Sequence, residues 1–209
     1  MTTAKDFFTE AERDRIKAAV QQAEKSTSGE IVPMVVDDSY DYPRAEILGG
    51  GLFSLAAAVT LSWAFFDESL WHFLWLLALG YFPFKCLIHN LPSLRRRLIH
   101  PDEIDEEVAE KAALAFLGQE LHHTRDETGI LIFISLFERR VHVLADRGIN
   151  DVVPANHWDG IVQTITDGIH RGEPCDALCA AIESCGRILA EKFPVKDDDT
   201  DELPNLVIE

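Results

Sequence analysis

Base is what this chain has least of. Lys and Arg number 19 against 36 Asp and Glu, giving a formal charge of −17 over 209 residues. Nucleic-acid binding relies on neutralising phosphates with Lys and Arg, so the composition excludes that partner class. Cysteine is scarce as well: Cys86, Cys175, Cys179 and Cys185. Cys86 closes an apolar run, and the other three share one C-terminal helical pattern, so no disulfide framework is drawn. Cys175 and Cys179 lie one helical turn apart, but no second Cys or His pair at zinc spacing completes a site. Cys185 falls on an apolar stripe as a small core residue, and the four read as reduced, cytoplasmic thiols. Nucleophile motifs are missing too. No Cys is followed six residues later by Arg, and neither a G-x-x-x-x-G-K-[ST] phosphate cradle nor a G-x-S-x-G elbow occurs. The N-terminus lacks the basic region, apolar core and small-residue cleavage site of a signal peptide, so none is expected.

Two long apolar runs are present instead, Ile47–Phe66 and Trp71–Ile88, separated only by Asp67, Glu68, Ser69 and Leu70. Twenty residues rising ~1.5 Å each span ~30 Å, the hydrocarbon thickness of a bilayer. Neither run holds an acid, and Lys85 lies near the end of the second, where its stem reaches the interface. Trp63, Trp71, Trp75 and Tyr81 supply rings of the kind found at membrane boundaries. The short connection returns the helices antiparallel, so a transmembrane hairpin is expected; the alternative is a hairpin buried in a soluble core. Gly49–Gly50–Gly51 permits close packing against the second span or another chain, which leaves a homo-oligomer open.

The loop between the runs has no Lys or Arg, whereas Arg95–Arg96–Arg97 follows the second. The positive-inside rule puts that Arg run and both termini in the cytoplasm, at an inner cell membrane crossed twice. The Arg run also meets anionic headgroups, and the lipid bilayer is the first partner expected. The acid is unevenly spread: residues 101–127 carry nine acids against two bases, and 195–209 six against one. Asp197–Asp198–Asp199–Thr200–Asp201–Glu202 reads as a solvated, disordered tail without the spacing of a calcium-binding loop.

Around the hairpin the patterns are those of a mixed domain. Thr9 and Glu12 form a capping box ahead of the one-face series Ile16, Ala19, Val20, Ala23. Glu30–Val36 reads as a buried strand in which Pro33 marks an edge or an irregularity. After the hairpin, Pro101 and an acidic first turn open a helix carrying Val108, Ala112, Ala115 and Phe116. Gly129–Ser135 is a nearly continuous β-prone run, and Val141–Asp146 follows it as an antiparallel partner. Trp158, Ile161, Val162, Ile165 and Ile169, then Leu178, Ala181, Ile182, Cys185, Ile188 and Leu189, give two amphipathic helices. The expected fold is α/β, a small mixed sheet covered by helices and interrupted by a two-helix transmembrane hairpin. Its parts are residues 1–46 (helix and strand), 47–88 (hairpin), 89–194 (remainder of the domain) and 195–209 (acidic tail). One helix and one strand make too small a core alone, so residues 1–46 need the later segment.

The segment Thr124–Ile149, with its Gly129–Ser135 and Val141–Asp146 runs, resembles the TPM domain family, as does Ser26–Thr27–Ser28–Gly29–Glu30–Ile31. With the flanking helices the resemblance spans most of residues 7–193 outside the hairpin. It implies an α/β sandwich and a kinship with thylakoid-lumen photosystem repair proteins, some proposed to be phosphatases. The chain departs from those relatives in lacking a targeting peptide and in carrying its hairpin inside the domain. It looks like a bacterial membrane-bound branch.

Candidate chemistry gathers around the two later strands: His122, His123, Asp126, Glu127, His142 and Asp146, with Glu30 at the first strand. If the strand ends converge, Asp126 and Asp146 are the ligands expected for Ca²⁺ or Mg²⁺, hard cations that take carboxylate oxygens. Such a cation polarises a phosphoryl oxygen and activates water, the chemistry of a phosphomonoesterase. The competing reading is that these are polar groups flanking a buried hairpin. The leading expectation is a non-enzymatic membrane-anchored factor in the assembly, maintenance or regulation of other membrane proteins. The alternative is a divalent-metal-dependent phosphatase near the membrane.

Overall fold

The computed structural model describes residues 3–65, 70–124, 127–154, 156–195 and 203–209. Contacts divide it into two units, one of Tyr40–Ile104 and one of Thr2–Ser39 with Asp105–Glu209. The first is a helical hairpin, α3 (Pro43–Phe65) returning as α4 (Leu70–Asn90), followed by the short α5 (Pro92–Arg97). Small side chains make the seam. Ala45, Gly49, Ser54, Ala58 and Ser62 are buried along one stripe of α3, roughly a turn apart. A Cβ added at Gly50 would lie 3.1 Å from the Cβ of Lys85, and one at Gly80 only 2.8 Å from the Oγ of Ser54. That hydroxyl donates to the Leu77 carbonyl at 2.6 Å, so a polar group inside the hairpin is satisfied. Gly51, by contrast, faces open space. The outward faces are apolar and bare: Trp63 is 81% exposed and Trp71 73%. Both helices are long and apolar enough to cross a membrane. Only 6% of the apolar window of α4 is buried, unlike a core helix of a soluble protein, which would be mostly covered.

Arg95, the first residue of the Arg run, is turned toward the hairpin. It is 9% exposed, and its Nη1 lies 3.7 Å from Oε1 of Glu46, which also receives His89 Nδ1 at 2.8 Å. A carboxylate at the start of α3 draws this guanidinium inward, because a largely buried acid needs a charged partner.

The second unit is built on a four-stranded mixed sheet in the order β3-β2-β1-β4. β1 (Glu30–Val36) and β2 (Gly129–Ser135) run parallel, in register from Glu30 opposite Gly129 to Val36 opposite Ser135. β3 (Arg140–Ala145) returns antiparallel to β2, and β4 (Val207–Ile208) lies parallel to β1. Every residue of β1 and β2 is buried, as expected for strands covered on both faces. Ile31, Val35, Ile130, Ile132 and Ile134 point into a core with α2 (Glu10–Glu24), α8 (Asn156–Arg171) and α9 (Pro174–Lys192). Their alternates, Val32, Met34, Leu131 and Phe133, are buried on the other face, the side of α6 (Pro101–Gly118). The Thr9–Glu12 capping box forms in both directions at the start of α2.

The Ser26–Ile31 motif now has a physical reading. Thr27 Oγ1 donates to the Phe193 carbonyl at 2.6 Å and accepts from Gly29 N–H at 3.1 Å. A Cβ at Gly29 would fall 2.8 Å from Leu189 and 3.2 Å from the Thr128 carbonyl, so only glycine lets α9 and the β2 loop close on the start of β1.

The tail is where expectation and structure part. The acidic stretch 196–202 lies outside the described residues, but the chain ends in β4, with Leu206 and Ile208 packed against the core. Two β-branched residues, Val207 and Ile208, pair there with the buried Met34 and Val35, which outweighs the acidic composition preceding them.

Candidate functional site

The sequence points to one end of the sheet, where β1 and β2 begin and β3 finishes. Glu30 pairs with Gly129, and the N–H of Asp146 donates to the Gly129 carbonyl at 2.9 Å, so the three form one row. Asp146 is the N-cap of the short helix α7 (Arg147–Asn150), its Oδ1 accepting from Arg147 N–H at 2.7 Å. Its Oδ2 is buried and has no hydrogen-bond partner among the described residues. Glu127 adopts a left-handed backbone (φ 54°), and its carbonyl accepts from Gly148 N–H at 3.1 Å, which clasps the loop before β2 onto α7. Asp126 lies outside the described residues. Among those described, no three His, Cys, Asp or Glu side chains form a metal cage. The Asp146 oxygen is a single carboxylate donor, whereas a hard cation takes six or more oxygens.

His142 belongs elsewhere. It sits mid-strand opposite Phe133, four residues from Asp146. Burial pushes its ring below its usual 6.5, Asp105 partly offsets this, and Arg140 adds to it. Arg140 Nε in turn donates to Asp105 at 2.6 Å. The unfolded chain therefore takes up the proton first. The contribution of the neutral ring is fully present above about pH 6.5 and is lost as pH falls through the folded value. Urea unfolding should show His142→Phe losing less stability than the wild type between about pH 7 and about pH 5; equal losses would assign the acid sensitivity to other groups.

At the opposite end, where both parallel strands finish, the sequence reading missed a fully buried acid. Open α/β sheets tend to bind ligands at this end, but here polar groups close it. Glu138, in the β2–β3 turn, is fully buried; its Oε1 accepts from Ser39 N–H at 3.0 Å and its Oε2 from the Ser135 hydroxyl. Asp37 joins in, its carbonyl accepting from Phe137 N–H at 2.9 Å and its carboxylate from Ala4 N–H. The only signal in the sequence was an acid three residues after a serine at a strand end.

Cys179 and Cys185 are held as neutral thiols. A cleft of about 760 Å³ runs along α2 and α9, bordered by Arg15, Ala19, Gln22, Cys179, Gly186 and Arg187. Burial, with Cys175 alongside, pushes the Cys179 thiol up to about 11, and burial takes Cys185 to about 12. Both are protonated at neutral pH and lack the thiolate that acts as a nucleophile. Arg15 is held by Asp176 at 2.6 Å across the same helices.

Residues 91–188 match the family model described as the TPM domain, a span that begins just after α4 and ends inside α9. Among solved structures the chain is similar to the NMR structure of the BA42 protein from the psychrophilic bacterium Bizionia argentinensis. That likeness covers 100% of this chain and 99% of the other at 24% identity, with a TM-score of 0.59, and it speaks to the fold. No curated protein matches the chain.

Proposed function

We propose that this chain, which carries a TPM domain over residues 91–188, is a membrane-tethered factor that assists the assembly, maintenance or regulation of other membrane proteins without turnover of its own. One observation carries the reading. β1 and β2 are adjacent in one sheet although the apolar hairpin lies between them in sequence. Two spans require both flanks of the hairpin on one side of the membrane, and this pairing supports that reading. The Arg run after α4 and its absence from the connection favour the cytoplasmic side. Tethering raises the effective concentration of the domain toward partners in the same bilayer, so weak contacts suffice.

The second reading is a divalent-cation-dependent phosphatase, favoured by the buried, unpartnered Oδ2 of Asp146. Asp126, twenty residues earlier, is the other carboxylate this reading uses. Calorimetry of the full chain with Ca²⁺ or Mg²⁺ should show any binding weakened at least about tenfold by Asp146→Asn. Phosphate release from a generic monoester should stay at the no-enzyme background. Metal-dependent turnover abolished by Asp146→Asn, in a variant that still melts as the wild type does, would replace the first reading by the second.

A further inference from the structure

The outer edge of β1 is managed residue by residue. Alternate backbone groups of a strand face alternate neighbours, and those of Glu30 and Val36 are taken on the β2 side: Glu30 N–H donates to Thr128, and the Val36 carbonyl accepts from Leu136. The groups of Ile31, Pro33 and Val35 therefore face outward. Ile31 N–H donates to the Glu24 carboxylate at 2.9 Å, which closes the edge at its start. Pro33 has no N–H to offer. Val35 is met by β4, its carbonyl accepting from Glu209 N–H at 3.0 Å. The stretch of this edge beyond Pro33 is the part that pairs with a parallel strand, β4.

β4 fills that acceptor with very little. Its ladder is Met34 opposite Val207 and Val35 opposite Ile208, and its residues are only partly buried. Leu206 and Ile208 point to the apolar core, while Glu209 borders a groove of about 290 Å³ with Met34, Lys111 and Leu114. Lys111 is the cation lining that groove among the described residues. Pro194 is bridged to Thr27, at the far end of β1 from the residues that β4 pairs with.

We propose that the β1 edge beside α6 is a strand-acceptor site for an extended peptide of a partner protein, with residues 206–209 as its exchangeable occupant in cis. The ligand it fits has apolar residues two apart followed by an acid: the apolar pair enters the core face and the acid meets Lys111. Strand addition of this kind takes its affinity from main-chain bonds and its specificity from alternate side chains. Strand addition at this edge does not depend on whether the hairpin crosses a membrane.

The test uses the full chain in detergent and a fluorescein-labelled peptide, Leu-Pro-Asn-Leu-Val-Ile-Glu, the sequence of residues 203–209. A chain ending at Glu202, and the full-length Ile208→Asp variant, should each bind it at least about tenfold more tightly than the intact chain, because the cis competitor is gone. The same peptide with Asp in place of its Ile should not bind. Variants that keep the native melting curve yet bind no more tightly would overturn the proposal. So would a dimer of the intact chain with tails exchanged between copies. Hydrogen exchange of the intact chain decides independently of variant folding. Amides of 207–209 should exchange by local opening, faster than those of β2; exchange only with global unfolding would make β4 a fixed part of the sheet.

Discussion

A chain beginning at Leu91, which holds the whole span matched to the TPM domain, should not fold. It lacks α2 and β1, and β1 lies between β2 and β4 in the sheet. Ile31, Val32, Met34, Val35 and Val36 are each no more than 2% exposed. Burial of such side chains contributes about 1.5–3 kcal/mol each, so the five together account for roughly 8–15 kcal/mol. Domains are stable by only about 5–15 kcal/mol, so the loss is global rather than local. The N–H and C=O groups of β2 facing β1 would also be left as a bare apolar edge, a template for aggregation. Near-UV circular dichroism should show no fixed tertiary signal, and gel filtration should show aggregates. A monomer with a cooperative melt near that of the full chain would mean that the segment after the hairpin holds its own core.

The second large effect concerns Glu138. Its carboxylate is the acceptor for both the Ser39 N–H and the Ser135 hydroxyl, in a place without solvent to replace it. Glu138→Ala leaves two donors and a small cavity, and should cost about 2–4 kcal/mol by chemical denaturation. Glu138→Gln keeps an oxygen for the Ser39 N–H and should recover at least half of that loss. Equal losses in both variants would show that charge, not hydrogen bonding, matters at this sheet end. The effect should be on folding, since the bonds tie the ends of β1 and β2 to the turn.

Particular residues show what was legible in the chain. The Thr9–Glu12 box, the β2–β3 hairpin and the two late amphipathic helices are local patterns, and local patterns survive folding. Pro33 was legible in part: its missing donor does mark an edge-facing group, although β4 then adds one more strand beyond it. β4 itself was hidden because its few apolar residues follow a stretch of acids, and pairing with Met34 and Val35 is non-local. Glu138 stands in the turn between two strands, and nothing in a sequence says that Ser39, a hundred residues earlier, closes over it. Asp146 was legible as an acid at a strand end, but its helix-capping bond to Arg147 depends on how the chain leaves β3. His142 shared the neighbourhood of Asp146 in sequence and not in space, because an extended strand carries four residues roughly 13 Å.

The account turns on a hairpin that crosses a membrane and returns the chain to the side it left. Single cysteines placed at Ser69 and at Val195, in a background with Cys86, Cys175, Cys179 and Cys185 replaced by Ser or Ala, test this in intact expressing cells. A membrane-impermeant maleimide should label the Ser69 position in the short connection and leave the Val195 position unlabelled until the cells are opened. Labelling of Val195 in intact cells, or protection of both sites with the protein released from membranes by alkaline carbonate, would contradict it.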